Sequence, residues 1–597
     1  MADWAKIGTV VGSASTGSYT FILKSMQAKL GDIVATRVEV PTASDATKHV
    51  ATVWGRVISI DRFNPFFPAE AAQELANQSI DLIDTVLSGS RDHLEAQVLI
   101  LGTTFDADGQ AELSPLTYPV KPSAAVLYPD ADAVRQLLTG ERTADAKKDK
   151  ANPKLRIGSL IGRADVSVTL SAKQVVSRHL AILAMTGGGK TVAARRIIRE
   201  LIELKYPLVI FDPHGDYLGL FEKRHLFGGS DIKIMYPVVR VWENNIGIIS
   251  DLIGKMGRSL TDPQQQFFNF LINGVDVADG EQATTFIQRL MDFADNIASK
   301  KRSKDQLADE LAEVRGPTIN AVKRSLSFVL ENLQQMERNN KRLREQPRFN
   351  AYTFHEMPDP TDAPEDIVRP GQVSIFYLAG YDHLNQSAIV SIVLEALFGH
   401  RLTLSDRIPP FQAVVEEAHN FIPSRREGID ETPSLATIRK VITEGRKFGT
   451  GLVLISQRPS RLDETTLAQC NSFLVLRIVN PNDKRFVRSV MENLSEADAN
   501  ILQTFGPGQG IVSGQAVRFP LLVKVDFDHE LVSDAIGDED FIAEAARWQP
   551  NSKRQTATAA VQEIAPPTKV QAPAKTGSTK TATKPGKRSR RIRPEGF

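Results

Sequence analysis

The feature that most restricts how this chain can fold is the run Ala184-Met185-Thr186-Gly187-Gly188-Gly189-Lys190-Thr191, set between an apolar stretch and an amphipathic one. Consecutive glycines let backbone N–H groups turn inward around a phosphate, and the start of the following helix adds its dipole. Lys190 can then reach the β- and γ-phosphates of ATP, and the Thr191 hydroxyl can serve Mg²⁺. The expected cradle comprises Thr186, Gly187, Gly188, Gly189, Lys190, Thr191 and Val192. Alanine replaces the first glycine of the strict pattern at position 184, where a small side chain still fits. His179–Ala184 reads as the strand the cradle needs before it. Thr191–Leu204 reads as the helix after it, with Ala194, Ile197, Ile198, Leu201 and Ile202 on one face. Leu208–Phe211 follows as another apolar run, and strand, turn, helix, strand is a βαβ unit that predicts a parallel, buried sheet.

A phosphate cradle needs an acidic partner at the end of another buried strand. Gln412-Ala413-Val414-Val415-Glu416-Glu417 supplies it: Glu416 is expected toward Mg²⁺ and Glu417 toward the attacking water. Asp212-Pro213-His214-Gly215-Asp216 ends another strand. Ten scattered histidines argue against a two-metal centre there; Asp212 is expected beside the cradle in the sheet, with His214 making a structural or nucleotide-adjacent hydrogen bond. Gln457, at the tip of Leu452–Ile455, is placed to sense the γ-phosphate. Arg446, just before that strand, can reach a neighbouring copy's nucleotide or make a structural salt bridge, and the residues alone leave both open.

Upstream of this region, Lys6 to about Leu170 holds short β-rich runs separated by Gly, Pro, Asn and Asp, the signature of a small antiparallel barrel or sandwich. One helical piece, about Glu70–Leu87, interrupts it, and Gly140–Pro153 reads as an exposed loop. A Leu-, Gln- and charge-rich stretch with helical spacing, including Phe267, Phe268, Leu271, Val322 and Leu326, predicts a helical subdomain inserted into the α/β core. Its Lys300-Lys301-Arg302 run and its Arg338, Lys341, Arg342, Arg344 cluster read as solvated faces. The boundaries are 1–170 for the β-barrel domain, 171–245 for the first part of the core and 246–357 for the insert. The second part of the core with a C-terminal brace is 358–535, and 536–597 ends in a basic tail whose composition predicts disorder.

The formal net charge of +1 hides an uneven distribution: residues 551–597 carry eleven basic and two acidic side chains. Any nucleic-acid surface on the body must therefore be local. A single cysteine, Cys470, excludes an internal disulfide and reads as a buried thiol. No apolar run approaches a membrane span and the start lacks a signal-peptide layout, so a cytoplasmic protein without membrane contact is expected.

Together, AMTGGGKT, DPHGDY of Asp212–Tyr217, VVEEAHNF of Val414–Phe421, EGRKFG of Glu444–Gly449, ISQRPS of Ile455–Ser460 and GQGIVSGQAVRFP of Gly508–Pro520 resemble, in order and spacing, the HerA family within the HerA–FtsK group of DNA-pumping ATPases. The resemblance covers roughly residues 1–530. It implies a RecA-like P-loop α/β core, an N-terminal small β-barrel like the family's HAS-barrel, and a homohexamer translocating on double-stranded DNA. It makes Arg446 a trans-acting arginine finger, Gln457 a sensor, and Arg178 an upstream arginine near the nucleotide. A separate effector, a NurA-like nuclease or a defence effector such as a sirtuin-like NADase, would dock on the barrel. The competing expectation is a ring-shaped scaffold for such an effector, with hydrolysis secondary. The basic tail departs from the family pattern.

Overall fold

The computed structural model describes residues 4–533 and 545, apart from 25, 43–44, 64–92, 106–112, 141–151, 257–258, 299–315, 347–348, 404–405, 425–431 and 492–493. The expected helix at Glu70–Leu87, the loop core at 141–151, the Lys300-Lys301-Arg302 run and nearly all of 536–597 lie outside the described residues.

Six antiparallel strands, β1 (Ala5–Val11), β2 (Ser18–Leu23), β3 (Ile33–Thr42), β4 (Asp45–Phe63), β5 (His93–Phe105) and β6 (Ala125–Tyr128), close into a barrel in the order β1-β2-β5-β4-β3-β6. Closure removes the exposed edges a free sheet would offer. Its interior is filled by alternating residues such as Ile7, Val10, Phe21, Val34, Val53 and Val98.

The barrel ends at Tyr128, which corrects the boundary read at residue 170. Strands β7 (Lys154–Leu160) and β8 (Arg163–Ser171) belong instead to a 12-stranded sheet. A period-two strand looks alike in a barrel wall and at a sheet margin, and only its partner separates the two. Here β7 pairs with β20 (Leu521–Val525), setting Leu160 opposite Val523. Barrel and core meet at a buried ion pair, Arg56 to Asp498, at 2.8 Å.

The remaining strands of the sheet are β9 (Leu180–Leu183), β10 (Leu208–Asp212), β11 (Asp231–Tyr236), β14 (Phe354–Glu356), β15 (Gln372–Tyr377), β16 (Phe411–Val415), β17 (Thr450–Ser456), β18 (Ser472–Leu476) and β19 (Gln509–Gly514), with β12 (Arg240–Val241) and β13 (Glu281–Gln282) forming a separate pair. The order is β14-β11-β15-β10-β16-β17-β9-β18-β19-β20-β7-β8. Every pairing from β14 through β18 is parallel. The central strands β9, β10, β15, β16, β17 and β18 are buried along their whole lengths, which is why their sequences are mostly apolar rather than alternating, with a few buried polar residues such as Gln372, Ser374 and Gln412 among them. This is the parallel, buried α/β core that the βαβ reading predicted.

The helices used below are α1 (Ala131–Thr139), α2 (Ala172–Ser177), α3 (Lys190–Glu203) and α4 (Leu218–Glu222), followed by the insert: α5 (Ile248–Lys255), α6 (Asp262–Asn273), α7 (Ala283–Ala298) and α8 (Gly316–Glu345). After them come α9 (His383–Leu402), α10 (Pro433–Phe448), α11 (Glu464–Leu467), α12 (Pro481–Val490) and α13 (Glu496–Ile501). Helix α3 buries Ala194, Ile197, Ile198, Leu201 and Ile202, the stripe the periodicity gave. The insert is helical as expected, with Phe267, Phe268, Leu271, Val322 and Leu326 buried while Arg338, Lys341, Arg342 and Arg344 are exposed. Cys470 is buried, and burial pushes its thiol up to about 12. Among the described residues, no helix is long and apolar enough to cross a membrane.

Candidate nucleotide-binding site

Parallel strands place all their carboxyl ends along one edge, and an open α/β sheet binds ligands there. Here β9, β16 and β17 are neighbours, so the turns that follow them converge. The turn after β9 is the glycine cradle, tied down on three sides. Ala184 N–H donates to Ser456 O at 3.2 Å, Met185 N–H to Arg477 O at 2.9 Å, and Gly508 N–H to Gly188 O at 3.0 Å. Gly187 and Gly189 have φ of +74° and +95°. A Cβ on Gly189 would lie 2.8 Å from Gly508 N, so the turn requires glycine on both conformational and steric grounds.

Lys190 opens α3 and is 8% exposed. Its ammonium bonds Glu416 and, at 2.8 Å, Glu417 Oε1. Consecutive strand residues point to opposite faces, so two adjacent carboxylates should not meet one lysine. The chain resolves this by leaving β16 at Val415 and turning Glu417 to φ +51°, the left-handed region. That conformation costs about 1 kcal/mol for a non-glycine residue, against which the ion pair with Lys190 is set. Both glutamates are buried, at 0% and 3% exposure, which excludes a surface pair.

Burial raises the Glu416 carboxyl, opposed by the Lys190 charge and by hydrogen bonds from Lys190 and Tyr217. Burial would raise Glu417 too, but the His419 contact and the Lys190 charge outweigh it and bring the group down to about 2. Burial alone would lower Lys190; the two carboxylates reverse that and hold the ammonium charged. The two carboxylates are thus set apart, one shielded and one kept anionic, the division of labour an acid/base site uses.

Glu417 Oε2 lies 3.2 Å from His419 Nδ1 without hydrogen-bond alignment, which leaves an acceptor at the cradle for a water. Thr186 Oγ1 donates to Gln457 Oε1 at 2.6 Å, so the expected sensor sits beside the cradle. Among the described residues no cluster of three or more His, Cys, Asp or Glu side chains could hold a metal alone. Mg²⁺ does not require one, since it is held by one or two carboxylates together with substrate phosphates. The hard oxygen donors Thr191 and Glu416, an open glycine cradle and the unaligned Glu417 oxygen fit a magnesium–nucleoside triphosphate.

Three expectations are corrected. Asp212 is not beside the cradle: β16 and β17 stand between β10 and β9. Its buried carboxylate instead accepts N–H bonds from Gly215 at 2.7 Å, Asp216 at 3.0 Å and Tyr217 at 2.9 Å, building a turn. Burial, with the Asp216 charge adding, pushes it to about 7 despite those bonds. The His214 side chain is exposed on that turn. Arg178 precedes β9 whereas the cradle follows it, so at about 3.3 Å per residue the strand separates them and Arg178 cannot line its own chain's pocket; its guanidinium bonds Gln515.

Arg446 lies in the last turn of α10, at the amino end of β17 and away from its own cradle. It is exposed and, among the described residues, its side chain has no hydrogen bond or ion pair within the chain. A structural salt bridge is therefore excluded among those residues. Sequence reasoning missed Tyr217, whose hydroxyl donates to Glu416 Oε2 at 2.6 Å, and Arg195 of α3, whose guanidinium donates to the Asp216 carbonyl through Nε at 3.0 Å. The signal for Tyr217 was its place five residues after a strand-end aspartate; His419, two residues past Glu417, was similarly visible.

Comparison with known proteins agrees with this geometry. Residues 155–397 match the family model described as the central domain of helicase HerA, starting at β7 and containing the cradle and the Asp212 turn. Over 588 residues the chain is 26% identical to the DNA double-strand break repair helicase HerA of Pyrococcus furiosus, covering 91% of this chain and 96% of that protein. It is 25% identical over 527 residues to a probable helicase of Methanocaldococcus jannaschii, covering 87% of this chain and 90% of the other. Among solved structures, the conjugative coupling protein TrwB covers 64% of this chain at 16% identity with a TM-score of 0.42.

Proposed function

We propose that this chain, whose residues 155–397 match the central domain of helicase HerA, is an ATP-driven motor translocating double-stranded DNA, working as a ring of six copies with each reaction site split across a seam. The observation that carries the reading is the buried Lys190, Glu416, Glu417 cluster at the mouth of the glycine cradle, with the Arg446 side chain, unpartnered among the described residues, on the opposite edge of the same sheet.

In this mechanism the N–H groups of Gly187–Thr191 hold the phosphates and Lys190 turns from its carboxylates to the β- and γ-oxygens. Thr191 and Glu416 would hold Mg²⁺, which supplies charge neutralisation on the phosphates. Glu417, kept ionised, accepts a proton from the attacking water, and Gln457 senses the γ-phosphate through Thr186. Arg446 of one copy reaches the nucleotide of the next, where its planar fork stabilises charge on the transferring group. Arg178 shares the amino edge with Arg446, so any nucleotide contact it makes belongs to the same seam. Loss of the γ-phosphate removes the Arg446 contact and relaxes the seam, which moves the DNA grip by a step. A separate effector, a nuclease or a defence enzyme, docks on the barrel, and the buried Arg56–Asp498 pair links that barrel to the core.

The test is ATP turnover by the full chain with and without linear duplex DNA across a salt series. Stimulation by DNA that falls steeply between about 50 and 200 mM salt is expected, because phosphate contacts release counterions. Turnover indifferent to duplex DNA at every salt concentration would overturn the motor reading.

A further inference from the structure

The turn after β10 is held from two directions. From below, Asp212 takes four backbone N–H bonds and fixes the path from His214 to Tyr217. From the side, Arg195, one turn into the helix that carries the cradle, donates to the Asp216 carbonyl. Such anchoring, with a carboxyl group and a guanidinium both buried, is more than a surface loop needs. Its product is a single placement: Tyr217, fully buried, with its hydroxyl 2.6 Å from Glu416 Oε2.

Glu416 thus has one partner on each oxygen, Lys190 on Oε1 and Tyr217 on Oε2. The two partners are not equivalent. Lys190 must leave to reach a triphosphate, while Tyr217 is locked by its turn and has nowhere else to go. Once Lys190 moves, Tyr217 is the hydrogen bond that remains to aim Glu416, and it leaves Oε1 as the oxygen facing the cradle. We propose that Tyr217 is a positioning residue that orients the Glu416 carboxylate for the magnesium ion accompanying the nucleotide, with Asp212 and Arg195 holding Tyr217 in register with the cradle helix. This deepens, and rests on, the nucleotide-site reading above.

The test separates nucleotide binding from its metal-dependent part. The affinity of the full chain for a fluorescent non-hydrolysable ATP analogue is measured in EDTA and again in excess Mg²⁺, for the native chain and for Tyr217→Phe. Outer partners of a metal ligand typically contribute 10- to 100-fold to metal affinity. In Tyr217→Phe the EDTA affinity should stay within about twofold of native, while the tightening produced by Mg²⁺ shrinks by about tenfold. Equal Mg²⁺ tightening in both chains, or equal weakening in EDTA and Mg²⁺, overturns the proposal, the second pattern being that of a merely structural tyrosine. If Tyr217→Phe fails to fold, Asp212→Asn serves: Asp212 Oδ2 accepts the Tyr217 N–H, and an amide nitrogen there cannot, so a smaller selective loss is expected and its absence counts against the proposal. A native chain that binds the analogue in neither condition refutes the nucleotide site itself; a native chain that tightens with Mg²⁺ beside an unaltered Tyr217→Phe refutes Tyr217 alone.

Discussion

The two edges of the central sheet carry similar charges in opposite circumstances. At the carboxyl edge, Lys190 is buried between two carboxylates, and around it Tyr217 donates to Glu416 and Thr186 donates to Gln457 within the chain. At the amino edge, Arg446 stands exposed with no partner among the described residues, and the buried Thr450 hydroxyl and Gln412 amide lack aligned partners. A buried charge must find its counter-charge inside the molecule, whereas an exposed arginine can wait for one from outside. On the proposed reading, the contrast separates an edge that holds most of a reaction site from an edge that offers an arginine to a neighbouring copy.

That comparison can be broken at the carboxyl edge first. Lys190→Ala should reduce ATP turnover to background, and it leaves Glu416 and Glu417 facing each other without a cation, so thermal stability should also fall by about 3 kcal/mol or more; both are read in one preparation by phosphate release and a melting curve. On the amino edge, Arg446→Ala should lower turnover by about a thousandfold or more while nucleotide affinity stays nearly native. Arg446→Lys should restore little, because an ammonium lacks the bidentate fork; full rescue by lysine would mean a simple charge suffices. Glu417→Gln keeps the shape of the site and removes the base, so turnover should drop by about a hundredfold or more with ATP binding retained, checked by single-turnover kinetics and equilibrium binding.

The smallest effect is one of pH. Burial lowers the His179 imidazole, at the amino edge, to about 4 from its ordinary 6.5, and its Nδ1 accepts from Leu452 N–H at 3.1 Å. The unfolded chain therefore takes up this proton first. The contribution is fully present above pH 6.5 and is lost as pH falls toward about 4, by at most ~3 kcal/mol. His179→Asn, which tolerates the same left-handed backbone, should flatten the fall of the melting midpoint across that window. An unchanged slope would remove His179 from the acid response. Glu417, depressed to about 2, acts separately: its contribution is present above pH 4.5 and lost as pH falls through about 2.

Much of this arrangement was legible in the chain. A parallel strand buried on both faces is mostly apolar, so His179–Ala184, Leu208–Phe211 and Ala413–Val415 could be read as strands, and the residues that follow them marked the site. The barrel boundary was not legible, because β7 and β8 are ordinary alternating strands and β20, whose pairing with β7 ties them to the large sheet, lies more than 350 residues after β7. The position of Asp212 depended on strand order, which crossovers decide and local sequence does not. Tyr217 reaches a residue 199 positions away through its hydroxyl, and no spacing rule encodes such a contact. Arg178 could have been placed from sequence: it precedes the strand that the cradle follows, and a strand keeps its two ends apart.

The division of one reaction between two copies is tested most directly by mixing. Lys190→Ala and Arg446→Ala chains, each inactive alone, are denatured together, refolded into mixed assemblies verified by native mass spectrometry, and assayed for ATP turnover. Some seams then pair an intact cradle with an intact Arg446, and turnover should return to a measurable fraction of native. Mixed assemblies as inactive as either parent would contradict the split site.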